Sequence, residues 1–150
     1  MTPPDANLPD RPDYVAVTYI NASVEHVWRV FTDPEDQATY FGGETEIGEV
    51  GEGWIRHAAD KWPAITGIVL AKEPPGRLVL TWGFDANPPP GHVEFLIEPV
   101  ANGVTRATIK EYHSRDWPKD LTDSAVQGWN ALLAGLKTLV ETGTPLPAPF

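Results

Sequence analysis

The feature that most constrains this chain is its last long apolar period. Between residues 121 and 142, Val126, Trp129, Leu133, Leu136 and Val140 recur at three- and four-residue steps. That spacing puts all five on one stripe of a helix. No earlier stretch has a helical period as long, and what precedes it is mostly short alternating segments. Gly128 and Gly135 fall seven apart on an adjacent stripe with Leu121, Leu132 and Leu139. A glycine inside a helix costs about 1 kcal/mol against alanine. Two in register call for close approach to a sheet, or for room beside something bound. The expected picture is a long final helix over a curved sheet, with a gap between them.

The rest of the chain supplies that sheet. Residues 14–20 alternate and are rich in β-branched and aromatic side chains, so they read as a strand. Asn21-Ala22-Ser23 offers a helix cap, and Val24, Val27, Trp28 and Phe31 give the helical stripe behind it. Asp33-Pro34 starts a second short helix that ends near Tyr40-Phe41, before Gly42-Gly43. Strands are predicted over 44–48, 54–58, 66–73, 77–84, 92–100 and 104–113. Pro74-Pro75-Gly76 and Asn102-Gly103 mark hairpins between them. Consecutive hairpins imply an antiparallel sheet with one face covered by the helices. Residues 1–12, with four prolines, read as a flexible arm. Residues 13–143 read as a single domain, and 144–150 as a tail.

Composition narrows the function. The 150 residues include no cysteine, which removes disulfide and thiolate chemistry and makes the cytoplasm the default compartment. A net charge of −10 with scattered basic residues argues against nucleic acid as a partner. No apolar run reaches the length of a membrane span. No serine elbow, dinucleotide fingerprint or Walker sequence is present. Gly48, Gly51 and Gly53 enclose Glu49 and Glu52, whose charge repels phosphate, so they read as a turn. No cofactor is expected. His57, Glu111 and His113 have metal-donor chemistry but no paired-histidine helix motif, and His26 and His92 lie elsewhere, so no metal site is expected either. Six tryptophans (Trp28, Trp54, Trp62, Trp82, Trp117 and Trp129) are spread along the chain, available to fill a core or line a pocket.

These motifs, taken in order, resemble a known family. The segment 20–28 (Ile-Asn-Ala-Ser-Val-Glu-His-Val-Trp) is similar to the strand-to-helix entry of the START-like (SRPBCC) superfamily, with Ser23 where proline is common. Phe31-Thr32-Asp33-Pro34, Tyr40-Phe41-Gly42, the hairpin from Gly67 through Pro74-Pro75-Gly76 to Trp82, Gly103 to Thr108, and Gly128-Trp129 with Leu132 and Leu136 continue the likeness over 14–142. Within the superfamily the chain resembles the branch named for the activator of heat-shock protein 90 ATPase homologues. The resemblance implies an α+β helix-grip fold: a curved antiparallel sheet of six to seven strands, two short helices after the first strand, and a long C-terminal helix over the sheet. It says less about activity, because the fold hosts binders, transporters, cyclases and co-chaperone modules.

Strand alternation then sorts the faces. With Arg106 and Lys110 outward, Ala107, Ile109, Glu111 and His113 point inward. Outward Glu94 and Glu98 leave Val93, Phe95 and Ile97 inside. Outward Arg77 leaves Leu78, Leu80, Trp82 and Phe84 inside, and outward Arg56 leaves Ile55 and His57 inside. A few polar groups in an apolar concavity is how small-molecule sites are built. The expected function is binding of an apolar or aromatic small molecule between the final helix and the concave sheet. Its ligand-binding residues are His57, Leu80, Trp82, Phe84, Phe95, Ile109, Glu111, His113, Trp129 and Leu133. Loops 60–63 and 85–91 are expected to flank the rim. One alternative is a cyclase- or hydrolase-like enzyme with Glu111 or His113 moving protons. Another is a chaperone-interaction module, which needs an apolar patch on the convex face. A homodimer is a further possible assembly.

Overall fold

The computed structural model describes residues 8–9, 11–58, 64–83, 91–112 and 119–147, without the Leu121 side chain. Among these, the chain runs β1 (Tyr14–Ile20), α1 (Val24–Thr32), α2 (Pro34–Tyr40), β2 (Thr45–Ile47), β3 (Gly53–Arg56), β4 (Ile65–Glu73), β5 (Arg77–Trp82), β6 (Gly91–Pro99), β7 (Thr105–Tyr112) and α3 (Lys119–Thr142). The seven strands form one antiparallel sheet in the order β1-β7-β6-β5-β4-β3-β2. This is the α+β helix-grip architecture.

Local chemistry sets the entry helices. Ser23 caps α1, its hydroxyl accepting from the His26 amide. Asp33 ends α1 and caps α2, accepting from the amides of Glu35 and Asp36, with Pro34 at the first helical position. Buried Gln37 and Tyr40 both donate to the Phe31 carbonyl, which locks the angle between the two helices. Between β6 and β7, Asn102 and Gly103 take φ of 63° and 74°, the left-handed conformation that suits an Asn-Gly pair.

α3 lies across the concave face. Trp129, Leu132, Leu133, Leu136, Leu139 and Val140 are buried against the sheet and the two short helices, and Val126 is half-buried. The two glycines of α3 part company. A Cβ on Gly135 would sit 2.9 Å from the Tyr40 Cβ, so the close approach is to α2 and not to the sheet. Gly128 is exposed, with nothing within 4 Å of its Cβ position. Its propensity cost of about 1 kcal/mol is returned by no packing among the described residues.

The convex face is partly sealed. Leu8 packs against Leu70, Ala71 and Val79. Arg77 donates to Glu94 at 2.6 Å and to Glu73 at 2.9 Å, and Glu94 is buried beneath that pair. At the free edge, β1 exposes Val15, Val17 and Tyr19 on its outer face. Lys137 ties α3 back to this edge by donating to the Tyr19 carbonyl at 2.6 Å.

One facing assignment is corrected by the structure. On β3 the inward residues are Trp54 and Arg56, at 3% and 7% exposure, while Ile55 and His57 face the other way. The rule that a charged side chain marks the outer face fails here because Trp54 fixes the pleat. Its indole crosses β4 above Gly67 and donates to the Thr81 carbonyl on β5 at 2.6 Å. Arg56, two residues on, then shares the inner face.

Candidate functional site

Among the described strand residues, the inner face of the sheet carries two buried ionisable groups, Glu111 and Arg56. In β7, Glu111 sits opposite Val93 of β6 and Tyr14 of β1, and is fully buried. The Trp129 indole of α3 donates to its Oε2. Tyr14 donates to Asn130 at 3.0 Å, so β1, β7 and α3 meet around this carboxylate. Trp129 lies edge-on to Trp82 and Phe95, with ring centroids at 5.4 Å and 5.9 Å. Phe95 in turn contacts Phe31 and Phe41, and Phe41 contacts Trp54. A continuous run of rings therefore leads from Glu111 across the interior to β3.

Arg56 is the second ionisable group. It pairs in register with Thr45 on β2 and Ile65 on β4. Burial pushes its guanidinium pKa below the ordinary value. A Cβ on Gly42 would lie 2.9 Å from its Nη1, so the missing side chain at Gly42 is what admits the guanidinium.

Of the residues expected to line the site, Leu80, Trp82, Phe95, Ile109, Glu111, Trp129 and Leu133 are buried on the covered side of the sheet or on the helix above it. His57 is not with them. Its side chain is 45% exposed and meets Glu46 at 2.5 Å, while its amide donates to Glu44. A polar contact this exposed contributes about 1 kcal/mol or less. Phe84, His113 and most of loops 60–63 and 85–91 fall outside the described residues; Gly91 opens β6. Arg56 and Trp54 are the inner-face residues that sequence reasoning missed. The signal for them was an aromatic residue paired across strands with a glycine, Trp54 with Gly67, a combination in which the ring covers the gap the glycine leaves.

Among the described residues, one gap lies beneath α3. Between α3 and β6–β7 it measures about 10 Å³, lined by Phe31, Phe95, Ala107, Ile109, Leu133 and Leu136 among others. That is about the space of one water, and its apolar walls offer a water few partners. Among the described residues, no group of three or more histidine, cysteine or acidic side chains is placed to hold a metal ion.

Comparison with known proteins fits this geometry. DynU16, a protein of the dynemicin biosynthetic locus, superposes with a TM-score of 0.77 at 25% identity; the alignment covers 91% of this chain but 49% of DynU16, so the chain spans about half its length. MLL2253 from Mesorhizobium loti gives a TM-score of 0.73 at 24% identity, covering 89% and 100% of the two chains. The Aha1 dimer from Colwellia psychrerythraea gives 0.69 at 19% identity, covering 87% and 96%. Among curated proteins none matches. Residues 21–141 match the family described as Activator of Hsp90 ATPase homolog 1-like protein. The match spans α1 to the last turn of α3, and the chain belongs to that family, within the START-like superfamily.

Proposed function

We propose that this protein is a receptor for an apolar, ring-bearing small molecule that carries a hydroxyl or amine. The observation that supports it best is Glu111, fully buried next to a cluster of tryptophan and phenylalanine rings. Burying a carboxylate costs several kcal/mol, and a well-packed apolar residue serves a mere scaffold as well or better. A ligand donor on Glu111 gives the carboxylate a use, and the rings give the ligand contact area. Trp129 occupies Glu111 in this structure, so a ligand that reaches the carboxylate displaces the indole and takes over its hydrogen bond.

The test is titration of the folded protein with a panel of hydroxyl-bearing hydrophobic probes and an apolar reporter dye, followed by calorimetry and tryptophan emission. Binding is expected, with affinity falling about tenfold or more in Trp82→Ala, since a lost ring contact in an apolar site is worth ~1–3 kcal/mol. A folded protein that binds none of the panel ends this reading.

A second reading rests on β1. Val15, Val17 and Tyr19 are 44%, 47% and 53% exposed, an apolar stripe on an edge strand of the kind proteins usually charge or cover. We propose that it docks a second copy of the chain, in keeping with the dimer named for the Colwellia relative. Sedimentation should show a dimer that Val17→Lys converts to monomer; a wild-type monomer at high concentration removes this reading.

A further inference from the structure

Arg56 has no role in the receptor described so far. We propose that its buried guanidinium recognises an acidic group, a carboxylate, on the same ligand, so that the protein selects apolar acids which also carry a hydroxyl or amine. This deepens the receptor reading and rests on it.

The argument begins with placement. The strand residues facing the interior include one buried acid, Glu111 on β7, and one buried base, Arg56 on β3, with β6, β5 and β4 between them. The space that separates them is occupied by rings: Trp129, Phe95, Phe41 and Trp54 follow one another at centroid distances of 5.9, 6.4 and 6.1 Å. An elongated aromatic molecule displacing some of these rings would have a hydrogen-bond acceptor at one end and a cation at the other.

Several features hold the guanidinium on the inner face. Trp54 sets the pleat of β3. Gly42, at φ +86°, leaves open the volume that Nη1 approaches, and a Cβ there would come within 2.9 Å of it. Thr45, its neighbour across β2, is buried with it and donates its hydroxyl to the Gly43 carbonyl. This is a costly arrangement for a chain that has only 11 basic residues against 21 acidic ones. A planar fork of N–H donors in a water-poor site is matched to a carboxylate, which accepts two parallel bonds. Whatever holds Arg56 in the unliganded protein, the ligand acid competes for the same donors.

The test compares three probes on one scaffold: 4′-hydroxybiphenyl-4-carboxylate, its methyl ester, and 4-phenylphenol. All three carry the ring body and the hydroxyl, and one carries the charge. Calorimetry on the wild type is expected to show the acid binding about tenfold tighter than the other two, as a charge-assisted hydrogen bond implies. Arg56→Gln should abolish that preference, bringing the acid to the affinity of its methyl ester; Arg56→Lys should keep part of it. Circular dichroism checks that each variant is folded, and the wild-type comparison stands without any variant. Equal affinity for all three probes in the wild type overturns the role of Arg56 and leaves the receptor reading in place. No binding by any of the three overturns both.

Discussion

Replacing Trp129 with alanine should cost the fold roughly 3–5 kcal/mol, the range for truncating a buried large aromatic side chain. Trp129 is 6% exposed and packs edge-on against Trp82 and Phe95. Two losses combine. The first is volume, because a cavity opens under α3 where the rings now meet. The second is polar, because Glu111 loses the indole N–H while remaining buried, and a buried acceptor deprived of its donor costs about 1–3 kcal/mol. Trp129→Phe helps to separate them, since it keeps a six-membered ring, and so reduces the first loss, while removing the donor entirely. Urea unfolding of the three proteins gives both numbers. A loss below about 1 kcal/mol in the alanine variant would contradict the packing of α3.

Gly67→Ala should be nearly as damaging, on the order of 3 kcal/mol, although it adds a single methyl group. The added Cβ would lie 1.8 Å from the Thr81 carbonyl oxygen and 2.6 Å from Trp54 Nε1. The first contact is with backbone, which cannot rotate away. β4 must separate from β5, or the chain must twist locally. Either response disturbs the indole bond from Trp54 to Thr81, and with it the edge contact of Trp54 on Phe41. The sheet is already irregular here: the Ile68 amide takes the Thr81 hydroxyl at 2.8 Å as its acceptor, and the register shifts between Val69 and Ala71. A melting temperature lower by about 10 °C is expected for a domain of this size. An unchanged melt would mean that Trp54 does not bridge the strands.

The elements that could be read directly were those with long or well-punctuated patterns. The α3 stripe needed five positions at helical spacing, and Asn102-Gly103 announced its own turn. The facing of β5, β6 and β7 followed from alternation because each is long enough to show several periods. β3 did not, because it is only 4 residues long. There one charged residue was asked to decide a face, and the information that decided it lay in another strand, at Gly67. His57 was misplaced with it. Glu94 was rightly turned outward, yet it is buried, because Arg77 covers it. The size of the gap beneath α3 was not legible either. It depends on how six or more rings share one volume, and a few tenths of an ångström in each decides between a chamber and a packed core. The placement of Leu8 on Leu70 and Val79 had no local pattern to reveal it.

The strand order also dictates when this molecule can finish folding. β1 is made early, but its sheet neighbour is β7, and Tyr14 reaches a helical partner 116 positions later in the chain. Closing so large a loop must wait until β7 and α3 have left the ribosome, and contacts this remote slow the search for the native state. Until then Ala16 and Ile20 of β1, and the apolar side of α1, have nothing to cover them. The nascent chain therefore passes through its most adhesive stage just before β7 and α3 arrive, and a truncation that removes the end of α3 would prolong that stage.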